Sequence, residues 1–192
     1  DGKLSVGKLN VSGKCIVNNG TLTVDGSLDM NSGLTVYNTA TGVLTVTDEM
    51  KVSNSARIYN DGAVTVDDLK INSDGEFHNC ENALLVVHDE CELERNTAIY
   101  QRGRASIEEM TARGTIWVNC HTSVNELEAQ GAEFNFSANA GLDAGRVEFN
   151  NTNVSMASGA IFTMEEYNID EKGGKNNFTF TGDADPRAVV LI

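Results

Sequence analysis

The chain has 192 residues and a formal charge of −14, with 40% hydrophobic residues, 6% aromatic residues, 18 glycines and one proline. That length carries one or two domains with a sizeable core. The 28 acidic residues against 14 basic ones argue against nucleic acid or an anionic membrane as partner, because affinity for phosphate comes from clustered Lys and Arg.

No apolar run approaches the ~20 residues of a membrane span, so no direct membrane insertion of this segment is expected. Asp1-Gly2-Lys3 does not begin a signal peptide. The expectation is a soluble processed chain or an excised domain of a larger protein.

Repeats set the fold class. Gly20-Thr21-Leu22-Thr23-Val24 and Gly33-Leu34-Thr35-Val36 come first, followed by Gly42-Val43-Leu44-Thr45-Val46 and, 20 residues on, Gly62-Ala63-Val64-Thr65-Val66. Within the unit from Gly42 three alternating runs follow one another: Leu44–Val46, Met50–Val52 and Ala56–Ile58. The next unit repeats them as Val64–Val66, Leu69–Ile71 and Gly75–Phe77. Period-two alternation marks strands with one buried face, and the intervening Asn, Ser, Asp and Gly mark tight corners. A unit of three short strands cannot bury its own apolar face, so it must stack on its neighbours.

The reading is all-β: a single-stranded parallel β-helix (β-solenoid) of about 20 residues and three short strands per coil, one domain over residues 1–192. Coils start near Gly2, Gly20, Gly42, Gly62, Ala83, Gly103, Ser123 and Gly141, eight in all, for a prism roughly 40 Å long at ~4.8 Å per rung. Residues 165–185, with the loop Asp170–Lys175, are expected to form a C-terminal cap or loop region. Open ends of a solenoid call for caps or adjoining domains of the same chain. A β-sandwich built from hairpins such as Asp61-Gly62 is the competing fold, and it seldom keeps a constant period.

Four columns arise from the register. Asn18, Asn38, Asn60, Asn79, Gln101 and Asn119 recur once per coil as an internal amide ladder, each side chain able to donate to one neighbour and accept from the other. Two places before them, Ile16, Val36, Ile58, Phe77 and Ile99 point inward, whereas Trp117 is too bulky there, which suggests a one-residue slip. Tyr37, Tyr59, His78 and Tyr100 face outward as an aromatic column that could stack on sugar faces or on a partner's side chains. Thr23, Thr35, Thr45 and Thr65 form an outward hydroxyl row that ends at Leu85, a matter of β-propensity.

An acidic ridge follows the first strand of each coil: Asp25, then Asp48, Glu49, Asp67, Asp68, Asp89, Glu90, Glu108, Glu109 and Glu126. A solvated, solubilising stripe is the preferred reading. Calcium is the alternative, although no Asp-x-Asp-x-Asp-Gly loop and no calcium β-roll nonapeptide occurs. No other cofactor is indicated.

Cys15, Cys80, Cys91 and Cys120 lack metal spacing, and Cys80 and Cys120 lie two coils apart, beyond disulfide reach. Four free thiols are expected, with Cys91 in the inward place held by Met50 and Leu69. Free thiols slightly disfavour secretion.

Two stretches carry a resemblance. Asn18-Asn19-Gly20-Thr21-Leu22-Thr23-Val24, with the corner Asn31-Ser32-Gly33, is similar to β-solenoid repeats of bacterial surface proteins and adhesins. Asn150–Phe162, Gly173–Gly182 and the apolar ending Ala188–Ile192 resemble the repeat region of Bacteroidetes cell-surface proteins that carry an LruC-type domain. The resemblance implies export, attachment to the outer surface and no known chemistry. Bactofilins, which are cytoplasmic scaffold solenoids, have shorter and more regular repeats.

The expectation is therefore a non-enzymatic cell-surface adhesion or scaffold module, extracellular, meeting a glycan or protein at the cell surface. A cytoplasmic scaffold is the alternative location. A carbohydrate-binding or carbohydrate-cleaving β-helix is the alternative function. Cleavage would need two carboxylates about 5–9.5 Å apart across a groove, and the chain shows neither groove-building insertions nor bases gathered beside the acids.

Overall fold

The computed structural model describes residues 2–169, 174–181 and 189–191. Every strand pairing among them is parallel, and none of them is helical. The sandwich of hairpins is thereby excluded, and the chain is a β-solenoid.

The first coil consists of β1 (Lys3–Val6), β2 (Leu9–Ser12) and β3 (Cys15–Asn18), and the second of β4 (Thr21–Val24), β5 (Leu28–Asn31) and β6 (Thr35–Asn38). These two keep the expected three strands. From the third coil the first two runs fuse: β7 (Val43–Val52) pairs with both β4 and β5. Long and short strands then alternate as β8 (Arg57–Asn60), β9 (Ala63–Ile71), β10 (Glu76–Asn79), β11 (Leu84–Leu93) and β12 (Ala98–Gln101). They continue through β13 (Arg104–Ala112), β14 (Thr115–Val118), β15 (His121–Gln130), β16 (Glu133–Phe136), β17 (Gly141–Asn150) and β18 (Asn153–Ala157).

The fusion corrects the three-strand unit, and its cause is local. Where Ser27 and Gly26 break the second coil, β7, β9, β11 and β13 carry two acidic residues and no glycine, and the register shifts there, between Val46 and Glu49 and between Val87 and Glu90. A bulge bends a strand without ending its pairing.

The long strands stack in one sheet and the short strands in a second, which has nine rungs from β3 to β20 (Asn177–Thr181). The core lies between them. Its N-terminal half is mainly aliphatic, with Leu44, Val64, Leu85, Met50 and Leu69 buried beside Phe77. Its C-terminal half is aromatic: Phe134, Phe149 and Phe162 are fully buried, with ring centroids 5.5 Å (Phe134–Phe149) and 6.0 Å (Phe149–Phe162) apart.

Within 165–185, the expected cap or loop region, part of the described backbone is strand. Glu165–Ile169 lie inside β19 (Ile161–Ile169), β20 pairs with β18, and β21 (Val189–Leu191) adds a further rung on β19. Residues 170–173 and 182–185 fall outside the described residues. The coil start read near Ser123 falls instead at Cys120–His121, since Ala105 pairs with Thr122.

Corners take left-handed backbone at polar residues, with φ of 62° at Asn96 and 62° at Asn139, because short side chains that bond locally tolerate that region best after glycine.

Candidate functional site

Along a solenoid each outward position becomes a column, so a functional surface is built one residue per rung. On the short-strand sheet the aromatic column forms as expected. Val36, Ile58, Phe77 and Ile99 point into the core and are buried, so Tyr37, Tyr59, His78 and Tyr100, each one residue on, are turned outward. Register pairs each of the four with the next.

The rings stack on one another. Centroids are 5.3 Å apart for Tyr37–Tyr59, 4.5 Å for Tyr59–His78 and 4.3 Å for His78–Tyr100, with interplanar angles of 12°, 21° and 7°. Trp117 extends the stack to five rings, 6.3 Å from Tyr100 and tilted by 4°. The inner rings therefore spend both faces on their neighbours and offer only edges outward. A sugar ring laid flat on Tyr59 or His78 would have to part this stack. Tyr37 and Trp117, at the two ends, are the more open rings, 43% and 41% exposed.

Trp117 joins the column through the one-residue slip: Ile116 takes the inward place, and Trp117 pairs with Tyr100. The corner before β14 is only Arg113-Gly114, whereas those before β8, β10 and β12 hold four residues, as in Glu94–Thr97. With the shorter corner Ile116 follows its partner Ile99 by 17 residues, whereas Ile99 follows Phe77 by 22, so alignment on a fixed repeat misplaces the indole.

A polar clamp flanks the rings. Arg57 Nε donates to Glu76 Oε2 at 3.0 Å and Arg57 Nη2 to Oε1 at 3.2 Å, while His78 Nε2 lies 2.9 Å from the same Glu76 Oε2. The Arg57 hydrogen bond, then that of His78, holds the Glu76 carboxyl below the usual carboxylate range against the opposing effect of burial. The guanidinium of Arg57 is pushed up in return.

The amide ladder forms in part. Asn18 Nδ2 donates to Asn38 Oδ1 at 2.7 Å, Asn38 to Asn60 at 2.8 Å and Asn60 to Asn79 at 2.8 Å. The same amide groups also reach the backbone carbonyls of Val43, Ala63 and Leu84. It stops there. Asn79 Nδ2 turns to the carbonyl of Arg104, and Gln101, 1% exposed, has no hydrogen-bond partner for either amide atom. Val118 occupies the next rung, so Asn119 falls outside the column and is exposed. Both ladder assignments, Gln101 and Asn119, are thus corrected: the first is one methylene too long to keep the spacing, the second lies past the slip.

The acidic ridge lines the bend of the long strands, with Glu49 paired to Asp68, Glu90 to Glu109 and Glu109 to Glu126. Its carboxylates bond between coils. Asp48 accepts from Ser27 at 2.9 Å, Asp68 from the Glu90 amide at 3.2 Å, and Glu108 from Asn125 at 2.8 Å. Asp48, Asp67, Asp89, Glu108 and Glu109 are exposed. Among the described residues no group of three or more acidic, His or Cys side chains could hold a metal ion, so the ridge offers calcium no cage.

In the hydroxyl row Thr23, Thr45 and Thr65 are aligned, but the next member is Val86; Leu85 is buried and Thr35 belongs to the other sheet. All four cysteines are free, and Cys91 is buried beside Leu69.

Sequence reading missed the fifth ring and the Arg57–Glu76–His78 clamp. The available signal for the ring was its flank, an Ile-Trp-Val run in which only one phase puts the indole outside. With the geometry described, comparisons with known protein families, with curated proteins and with solved structures find no match for this chain.

Proposed function

We propose that the protein is a non-enzymatic adhesion or scaffold module of a bacterial cell surface: a stiff rod that meets a glycan or protein partner with the outer face of its short-strand sheet. One observation carries this reading, the five-ring stack that crosses five successive coils of that face, with a half-open ring at each end. Contiguous aromatic surface is uncommon on a protein that has no use for it, and flat rigid rings lose little entropy on contact. The backbone ladders supply stiffness, and the repeat supplies the same contact at each rung. The resemblance to surface solenoids of Bacteroidetes supports the location. A cytoplasmic scaffold remains the competing location, and it would use the same face.

The test is adhesion of protein-coated beads to glycan and surface-protein arrays. Wild type is set beside Tyr37→Lys/Trp117→Lys and beside Ser106→Lys/Ser123→Lys, which adds the same charge to exposed positions of the other sheet. Retention lost only in the first variant is the expected result. Equal retention of all three would overturn the reading of this face.

A further inference from the structure

The ring stack ends asymmetrically. Each inner ring has a ring on either side, but Trp117 is followed on the next rung by Asn135, and no further ring stacks on it among the described residues. One face of the indole is therefore turned toward β16 with no aromatic over it.

The polar side chains on that side are uncommitted. Glu133 and Asn135, two apart on β16, point to the same side of the sheet, and Ser155 continues the column on β18. None of the three has a hydrogen-bond or ion-pair partner among the described residues, whereas neighbouring outward polar groups are engaged: Arg57 with Glu76, and Asn177 with Asn153 at 2.8 Å. From Trp117 the ledge over Asn135, Ser155 and Thr179 runs three rungs, ~14 Å.

We infer that this ledge is a subsite for a neutral saccharide. The inference rests on the reading of the short-strand sheet as the contact face. A pyranose presents a face of C–H groups and a rim of hydroxyls. The indole face that no ring covers suits the first. The second needs mixed donors and acceptors, which the Asn135 amide, the Ser155 hydroxyl and the Glu133 carboxylate supply.

A cationic side chain only donates, so it would use Trp117, Glu133 and the amide and hydroxyl oxygens but leave the Asn135 N–H donors idle, whereas the saccharide rim can use both. Acidic sugars are disfavoured by Glu133 and by the chain's net charge of −14.

Trp117 is the only tryptophan of the chain, so its fluorescence reports from the site itself. The full chain is titrated with neutral tetrasaccharides (cello-, chito- and galacto-series), with tetragalacturonate and with a tri-arginine peptide. The expected result is a saturable change in emission with at least one neutral tetrasaccharide and none with tetragalacturonate. Asn135→Ala should weaken binding about three- to tenfold, the worth of one hydrogen bond, and Trp117→Ala should abolish it by calorimetry. Both sites are on the surface, and an unchanged circular dichroism spectrum checks the fold.

Silence toward every neutral tetrasaccharide, or binding unchanged in Asn135→Ala, overturns the inference. If only the tri-arginine peptide responds, the saccharide assignment falls while the contact face stands. If bead adhesion is also indifferent to Tyr37→Lys/Trp117→Lys, the contact face falls with it.

Discussion

Within one buried column two amides of the same chemistry have opposite energetics. Asn60 accepts from Asn38 and donates to Asn79 and to the Leu84 carbonyl. Truncating it leaves those groups buried without partners, at a cost of about 1–3 kcal/mol. Gln101 is already without partners, so replacing it by an apolar side chain of similar volume removes a penalty and breaks nothing. Asn60→Ala should lower the urea midpoint, and Gln101→Met should leave it unchanged or raise it. A lower midpoint for Gln101→Met would show that its amide is satisfied in solution.

Titration offers a second test at this scale. Burial, followed by the Asp61 carboxylate, pushes the Cys80 thiol up to about 11 from an ordinary 9.0, and burial raises Cys91 as well. A raised folded-state value means the unfolded chain releases its proton first. The thiol's contribution is complete below pH 9 and is lost as the pH climbs through about 11. The urea midpoint should fall over that window, and the fall should be shallower in Cys80→Ala. Glu76 has the opposite sign: its carboxyl is lowered by Arg57 and then His78, so its contribution holds above 4.5 and fades as the pH drops through the depressed value. Glu76→Gln should flatten part of the acid limb.

At the scale of the element, the corners decide how faithfully one coil sits on the next. A Cβ at Gly62 would run into the carbonyl oxygens of Gly42 and Thr39. Those are backbone atoms held in the ladder and cannot step aside. At Gly7 a Cβ meets nothing within 4 Å. Gly62→Ala should therefore destabilise by about 1–3 kcal/mol, as overpacking does, and Gly7→Ala should be close to neutral. Thermal melts of the two variants measure the difference.

The same corners set what the sequence could reveal. The period and the inward columns were legible because alternation names the buried phase, as Ile58, Phe77 and Ile99 show. The fusion of two runs into β7 was not, since Asp and Glu between strands read as a turn, although a bulge carries them without breaking the pairing. The site was half legible for a similar reason. Tyr37, Tyr59, His78 and Tyr100 each stand between an inward apolar residue and an amide, a local mark that survives coils of 19 to 22 residues. Trp117 follows a two-residue corner, Arg113-Gly114, whose shortening has no mark in the local sequence, and side-chain stacking that consumes ring faces cannot be read from spacing alone.

For the whole molecule, stability should grade along the axis. Each coil touches only its neighbours, so protection depends on how many coils lie on either side of it. The first coil shows the effect in its burial. Leu4 occupies the same inward column as Leu22 and Leu44, yet it is 56% exposed against 7% and 1%. Val6, Leu9, Val11 and Ile16 are only partly buried. From β7 to β15 the inward residues are sealed on both sides, and the Asn ladder and the ring stack both lie across the coils from the first to the sixth. Hydrogen exchange of the 192-residue chain should therefore show β1–β3 exchanging fastest and β9–β13 slowest, with protection rising rung by rung and no single step. Placing a charge in the central core, as in Leu69→Asp, should collapse protection on both sides of β9, because the break uncouples two short stacks. Leu4→Asp should change exchange only in the first two coils. A uniform loss in both variants would mean that the rod unfolds as one cooperative block, and the additive picture of stacked coils would be wrong for it.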